Sequence, residues 1–282
     1  VAVGAFALGT HAVAQNTPTP PAPAPTAAPR TLSVATLAPA GSTWMRGLEA
    51  AGRELRRRTG GALSMRFYPG GVQGDESEVI RKIRQGRLDI GVVTGIGLGQ
   101  VHRPVLAFML PGMFSSREAL DRSRTALGPE VEQQFAGQGF VLLAWGSGAG
   151  PRMFSRRAVR SPADLQQTHP WIWRDDVILP ALYTEAHAEG VPLALPEVLA
   201  ALQTNRVDTG IAPPYAAVAL QWSAQLTHMS EGANSYSVGG MVVSKRTWDS
   251  LPAPLQATTR EVINQFLGLI NRNVSREDES AA

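Results

Sequence analysis

Two glycine-rich stretches of the sequence contain the residue types that bind phosphate groups. The first, "YPGGVQGDESE" at residues 68–78, precedes a predicted helix, whose backbone N–H groups and positive dipole end could hold an anion. Asp75 stands at the predicted N-cap position, and Glu78 follows at the spacing of a capping box. Because these carboxylates would occupy the helix end and repel a phosphate, we interpret the glycines as turn formers.

The second stretch, "TGIGLGQ" at residues 94–100, follows a predicted strand, as a dinucleotide-binding loop does. Its third glycine, Gly99, comes one residue too early for the G-x-G-x-x-G fingerprint, and the next residues, "VHRPVLAF", contain a proline and predict no clear helix. A dinucleotide-dependent enzyme that uses the Gly95–Gly99 loop stays open as an alternative function. That alternative predicts a catalytic acid or base in the same cleft.

Other catalytic and metal-binding patterns are absent from the sequence. "GSGAG" at residues 146–150 is not G-x-S-x-G, and it lies between two predicted strands instead of before a helix. The five histidines never take the i, i+4 spacing of a zinc-protease motif, and cysteine is absent, which excludes disulfides and thiolate ligands. We therefore expect no metal, no cofactor and no enzymatic activity.

The charge balance argues against a nucleic-acid partner. The 26 basic residues are nearly balanced by 23 acidic ones, which gives a formal net charge of +3. The densest basic run, at residues 53–58, closes a predicted helix, where cations complement the negative end of the helix dipole. No basic module interleaved with aromatic residues accompanies this run, so we expect no nucleic-acid binding.

The first 30 residues predict export. Residues 1–14 form an apolar run that ends in Ala-Val-Ala, which is typical of a signal-peptide remnant with its cleavage site. Residues 15–30, "QNTPTPPAPAPTAAPR", predict a proline-rich linker that does not pack. We therefore expect a periplasmic protein. After residue 30 no apolar run approaches the ~18 residues that a membrane-spanning helix needs.

The elements that must position any site alternate between strand and helix. Strands are predicted at residues 31–38, 62–69 and 88–94, with helices at 43–58 and 76–85 between them. This alternation predicts an α/β fold with a largely parallel sheet. It resumes after "FVLLAWG" and ends in a long helix from about Pro254, which we expect to continue beyond Ala282.

One helix-strand segment is echoed later in the chain. Residues 71–91, "GVQGDESEVIRKIRQGRLDIG", align without gaps on residues 190–210, "GVPLALPEVLAALQTNRVDTG". Each copy predicts an amphipathic helix, then a residue suited to a left-handed turn (Gly86 or Asn205), then a strand that opens Arg-apolar-Asp. The repeat predicts two lobes of similar topology, and the cleft between such lobes is a usual place for a small ligand.

A series of short motifs occurs in order along the chain. They are "ATLAPAGSTW", "YPGGVQGDESE", "LPGMFSSREA", "SPADLQ", "GVPLALPEVLAALQTNRVDTG" and "SKRTWDSLPAPLQ". Together they resemble the solute-binding proteins of TRAP transporters, the DctP family, over nearly all of residues 31–265. The resemblance implies a two-lobed periplasmic-binding-protein-like fold that closes on a small-molecule ligand and delivers it to TRAP membrane permease subunits.

The resemblance fails where the family binds a carboxylate. Aligning "ADLQQTHPWIW" on the family motif places Trp171 at the position of the carboxylate-binding arginine, with Trp173 two residues later. Arg152, in "GPRMFS", matches a second family arginine and is the predicted anionic handle. Since a buried carboxylate without its guanidinium is costly, we predict a ligand with an apolar or aromatic body and one acidic group.

These inferences define lobes and a ligand site. We predict lobe 1 at residues 31–150, with 237–250 returning to it, lobe 2 at 151–236, and a C-terminal helix at 251–282. The predicted ligand-binding residues are Trp44, Thr94, Arg152, Trp171, Trp173, Ala212, Pro213 and Tyr215. A periplasmic carrier of apolar ligands that works with a helical-repeat partner stays open as a second alternative.

Overall fold

The computed structural model describes residues 29–233 and 235–281. The strands are β1 (Arg30–Thr36), β2 (Leu63–Tyr68), β3 (Ile90–Thr94), β4 (Phe140–Gly148), β5 (Arg152–Ser155), β6 (Trp171–Trp173), β7 (Val191–Leu193), β8 (Thr209–Ala212), β9 (His228–Met229) and β10 (Ser237–Ser244). The helices are α1 (Thr43–Arg58), α2 (Glu76–Arg84), α3 (Gly95–Gly99), α4 (Arg117–Gly137), α5 (Pro162–Leu165), α6 (Leu179–Glu185), α7 (Val198–Gln203), α8 (Pro214–Ala219), α9 (Lys245–Asp249) and α10 (Ala253–Ala281). The predicted signal-peptide remnant and nearly all of the linker lie outside the described residues.

A five-stranded sheet forms the centre of the first half of the chain. Its order is β2-β1-β3-β10-β4, in which β1 runs parallel to β2 and β3, whereas β10 runs antiparallel to β3 and β4. α1 and α10 cover one face and α2, α3 and α4 the other, so each face has its own apolar core. The predicted α/β fold is confirmed, although the sheet is mixed, with two parallel and two antiparallel pairs, and helices on both faces bury its strands.

The second sheet is smaller and assembled from short strands. β8, β5 and β9 form one part, β6 and β7 another, and an isolated bridge from Pro170 to Thr209 joins the two parts. Side chains alternate between its faces: Phe154 and Ala212 join a core with α7 and α8, whereas Met153 and Ile211 join a separate cluster. The predicted boundaries, 31–150 with 237–250 and 151–236, remain our proposal for lobes 1 and 2.

The two echoed segments adopt matching local structures. Gly86 and Asn205 both have left-handed backbone conformations, with φ of 72° and 59°, as predicted from the sequence. The aspartates that open the following strands also match, because Asp89 accepts the backbone N–H of Ser33 and Asp208 that of His169. These carboxylates therefore tie each echoed strand to its neighbour.

The N-terminus of α2 departs from the predicted capping box. Asp75 is the N-cap as predicted, and its Oδ1 accepts the N–H of Glu76 at 2.9 Å. Glu78 does not reach back to the cap but forms an exposed ion pair with Arg81. Because Asp75 caps the helix with Oδ1, its other oxygen, Oδ2, is available to accept hydrogen bonds from residues of lobe 2.

The long helix α10 packs along lobe 1 with one apolar face. Val262, Ile263, Leu267, Ile270 and Val274 are buried at the spacing of successive helical turns. No helix within residues 29–233 and 235–281 has the length and apolar character needed to cross a membrane.

Candidate functional site

A cavity of about 850 Å³ lies between the two lobes. Its walls are predominantly apolar and come from both sheets, from α3, α6, α8 and α10, and from the segments that connect the lobes. Seven of the eight predicted site residues line it: Trp44, Thr94, Trp171, Trp173, Ala212, Pro213 and Tyr215. A cavity of this size and polarity suits a small organic ligand.

Arg152, the eighth predicted residue, is not among the cavity-lining residues. It pairs with Ala212 in the register of β5 and β8, and its neighbours Pro151 and Met153 both line the cavity. Its cross-strand partner Ala212 also lines the cavity, so the Arg152 side chain lies next to the lining without being part of it. The exposed Arg160 is the cavity-lining cation in the described part of the chain.

Three tryptophans form one wall of the cavity. The ring centroid of Trp171 lies 5.6 Å from that of Trp173 and 5.3 Å from that of Trp222. The indole N–H groups of Trp171 and Trp173 already donate hydrogen bonds, that of Trp171 to Leu193 O at 3.1 Å and that of Trp173 to Asp75 Oδ2 at 2.8 Å. Trp171 and Trp222 are buried, so this wall presents mainly the half-buried ring of Trp173 to a ligand.

Asp75 links the two lobes beside this wall. Besides the indole of Trp173, its Oδ2 accepts the backbone N–H of Leu195 at 3.3 Å. Close by, a Cβ added to Gly71 would approach Pro196 Cγ to 2.7 Å, so only glycine fits this contact between the echoed segments. Burial raises the pKa of Asp75, which its hydrogen bonds partly offset. The turn and cap of the first glycine-rich stretch thus hold lobe 2 instead of a phosphate.

Glu76 occupies the N-terminus of α3, the second glycine-rich stretch. Its Oε1 accepts the N–H of Thr94 at 2.7 Å, and its Oε2 accepts the Thr94 hydroxyl at 2.7 Å and the N–H of Gly97 at 2.8 Å. Gly95–Gly99 itself forms a short helix, and the following segment, in which no clear helix is predicted, forms a 3₁₀ helix at Arg103–Met109. A carboxylate fills the position where the pyrophosphate of a dinucleotide would bind, which argues against that alternative.

Glu76 provides a pH-dependent test of this arrangement. Burial raises its pKa from 4.5 to about 7, and the nearby Asp75 adds to the rise. The folded state therefore binds the proton more tightly than the unfolded state, so this carboxyl stabilises the fold below pH 4.5 and loses that contribution as the pH rises through about 7. Across this interval we expect the free energy of unfolding to fall about 3 kcal/mol less in Glu76→Gln than in the parent protein.

Urea unfolding at both ends of that pH interval measures the difference. Glu78→Gln is the matched control, since Glu78 lies exposed on the same helix and should leave the fall unchanged. An equal fall in Glu76→Gln and the parent would contradict the assignment.

Sequence reasoning missed several polar residues that line the cavity. Glu76, Arg160, Asp176 and Tyr183 all do so, although the sequence analysis names none of them as ligand-binding. The sequence carried a signal for Glu76: it directly follows the N-cap Asp75, so its carboxylate is not needed to cap α2 and is available to bind another segment. Tyr183 gave none, since an aromatic residue in an amphipathic helix predicts core packing. Within the described ranges, no group of three or more His, Asp or Glu side chains is arranged so that it could hold a metal ion.

The fold and the cleft define the class of the protein. Two α/β lobes that enclose an apolar cavity, with a long helix along one lobe, form a solute-binding protein. Residues 34–282 match the model of the bacterial extracellular solute-binding protein family 7, DctP, and the chain belongs to this family. The predicted family is therefore confirmed, and it is a family of binding proteins, not of dinucleotide-dependent enzymes.

Individual relatives are distant. A solute-binding protein of Verminephrobacter eiseniae is 24% identical, and the match covers 82% of this chain and 69% of that protein. A match to a solute-binding protein of Chromohalobacter salexigens covers 64% of its length.

Solved structures confirm the fold. A TRAP periplasmic solute-binding protein of Sulfitobacter with bound β-D-galacturonate has a TM-score of 0.83 at 18% identity, covering 89% of this chain and 84% of the other. A Bordetella pertussis extracytoplasmic solute receptor that binds pyroglutamic acid has a TM-score of 0.82 at 19% identity, with the same coverage. These structures have the predicted two-lobed arrangement.

Proposed function

We propose that the protein is the periplasmic receptor of a TRAP-type uptake system, which captures a small organic ligand and delivers it to the membrane permease subunits. Membership of the solute-binding family supports this function. The observation that carries it is the cavity of about 850 Å³ enclosed by both lobes, because a ligand held between two lobes favours their closed arrangement.

The ligand that fits this cavity has an apolar or aromatic body. The position that the sequence alignment assigns to a carboxylate-binding arginine is Trp171, whose indole N–H is bonded to Leu193 O. The half-buried rings of Trp44 and Trp173 line the space, and the buried Trp171 ring packs against Trp173, so a flat or aliphatic body gains more from these side chains than a dicarboxylate does. Two structurally similar proteins bind organic acids, galacturonate and pyroglutamic acid, which supports one acidic group on the ligand.

Arg160 is the better candidate for the anionic handle. It lines the cavity and is exposed, so its charge costs little desolvation before the ligand binds. Arg152, the candidate from the sequence, is half-buried and lies outside the lining. We propose that the ligand carboxylate binds Arg160 at the rim while the apolar body enters the cleft.

Titration calorimetry with two probe acids tests this function. We expect phenylbutanoate, which has one carboxylate and an aryl body, to bind at least tenfold more tightly than succinate, a dicarboxylate without an aryl body. Tighter binding of succinate, or no binding of phenylbutanoate, would contradict the proposed ligand class.

Two arginine variants then locate the handle. Arg160→Ala should weaken phenylbutanoate binding about tenfold, because a charge-assisted hydrogen bond contributes roughly 1.5 kcal/mol. Arg152→Ala is the matched control and should leave the affinity unchanged. Weaker binding in Arg152→Ala with unchanged binding in Arg160→Ala would identify Arg152 as the residue that binds the carboxylate.

A further inference from the structure

The cavity continues from the cleft into the interior of lobe 2. On the face of the second sheet that α5 and α6 cover, eight apolar and aromatic side chains form a small cluster, and six of them line the cavity. These six residues, which we call the side compartment, are Met153, Val159, Leu165, Tyr183, Ala186 and Ile211. The opposite face of the same sheet packs a larger core with α7 and α8.

Short elements leave this side of the sheet incompletely filled. α5 has 4 residues and α6 has 7, so together they cover less sheet than the 16-residue α1 does in lobe 1. Ala186, the C-cap of α6, lines the cavity with only a methyl side chain. The side compartment is therefore a continuation of the ligand cavity and not a separate surface pocket.

The side compartment contains one buried hydroxyl group without a partner. Tyr183 is 3% exposed, and its hydroxyl has no hydrogen-bond partner among the described residues. Leaving such a group unpaired costs free energy, which a ligand atom that accepts its hydrogen bond would recover. Burial, and secondarily the nearby Asp176 carboxylate, raise the pKa of Tyr183, so the hydroxyl stays a donor.

The surroundings of Tyr183 select the charge of its partner. Asp176 also lines the cavity and accepts the backbone N–H groups of Ile178 and Leu179 at the start of α6. A second carboxylate placed beside Tyr183 would be repelled by Asp176, whereas an uncharged oxygen would not. The cation Arg160 lines the cavity as well and is exposed, which suits it to bind the acidic end of a ligand.

We propose that the side compartment receives the uncharged end of the ligand and that Tyr183 donates a hydrogen bond there to a neutral acceptor, a carbonyl or hydroxyl oxygen. Tyr183 is then a specificity-determining residue for molecules that carry such an oxygen on an apolar body. The proposal deepens the proposed function and rests on it only for the location of the ligand.

A matched pair of neutral probes tests the role of Tyr183. para-Fluoroacetophenone and para-fluoroethylbenzene share ring, fluorine and size but differ in one carbonyl oxygen, and fluorine NMR titration measures the binding of each. We expect the parent protein to bind the ketone about fivefold more tightly, the equilibrium equivalent of one net hydrogen bond. In Tyr183→Phe the preference should vanish while the affinity for the hydrocarbon stays the same.

Tyr236→Phe is the matched control, because Tyr236 also lines the cavity but lies outside the side compartment. This variant should keep the fivefold preference. Retention of the preference in Tyr183→Phe, equal affinities in the parent, or failure of both probes to bind would each overturn the proposal. Since the probes carry no acid, failure of phenylbutanoate to bind would reject the proposed ligand class and leave this result intact.

Discussion

Replacing Trp171 by arginine, the residue that the family motif has at this position, is expected to destabilise lobe 2 by about 4 kcal/mol and not to create a carboxylate site. Trp171 is 2% exposed and belongs to an apolar core with Leu193, Val198 and Trp222. The guanidinium would be buried among these apolar side chains, and the hydrogen bond to Leu193 O and the edge contact with Trp222 would be lost.

Trp173→Arg is the matched control for this prediction. Trp173 is half-buried, and its indole N–H lies 2.8 Å from Asp75 Oδ2, so an arginine there has a carboxylate within reach. We expect this variant to lose less than half as much unfolding free energy as Trp171→Arg in urea denaturation. Equal losses in the two variants would contradict the view that burial without a counter-charge sets the cost at Trp171.

Local signals in the sequence were enough to predict most elements of lobe 1. Helix α1 spans Thr43–Arg58 as predicted, because Ser42 caps it, apolar residues recur on one face and three arginines end it. The repeat of residues 71–91 at 190–210 also predicted matching turns, since left-handed conformations restrict the residue type locally. Where short-range preferences agree with the tertiary structure, a single sequence suffices.

The remaining features depend on contacts between distant residues. The glycines at 95–99 favour no helix by themselves, yet Glu76, a residue of another helix, caps the N–H of Gly97 and stabilises one. The bond from Trp173 to Asp75 joins residues 98 positions apart, and no local pattern predicts it. Arg152 was chosen from a motif but lies outside the cavity lining, whereas Arg160, which no motif marks, is part of that lining. A motif identifies which residue type stands at a position, but the tertiary structure decides which side chains line the cavity.

Replacing Asp278 by alanine is expected to lower the free energy of unfolding by about 3 kcal/mol, because it leaves two backbone donors unpaired. Asp278 is 2% exposed on α10, and burial raises its pKa. Its Oδ2 accepts the N–H of Ala149 at 3.0 Å, between β4 and β5, and its Oδ1 accepts the N–H of Tyr215 at 2.8 Å, at the start of α8. Urea denaturation measures the loss, and Glu279→Ala, an exposed neighbour on the same helix, should change stability by less than about 0.5 kcal/mol.

Because each oxygen of Asp278 accepts one backbone hydrogen bond, a variant that removes only one acceptor tests whether the two bonds contribute separately to stability. Pro213, the N-cap of α8, makes no side-chain cap hydrogen bond, so the carboxylate of a distant helix supplies that cap. Asp278→Asn keeps one acceptor oxygen but presents its amide N–H₂ to the other donor, so its loss should lie between those of the parent and the alanine variant. Because Tyr215 lines the cavity, both variants should also weaken phenylbutanoate binding, whereas Glu279→Ala should not. A stable Asp278→Ala protein with unchanged affinity would show that α10 does not hold α8 and the segment between β4 and β5 in place.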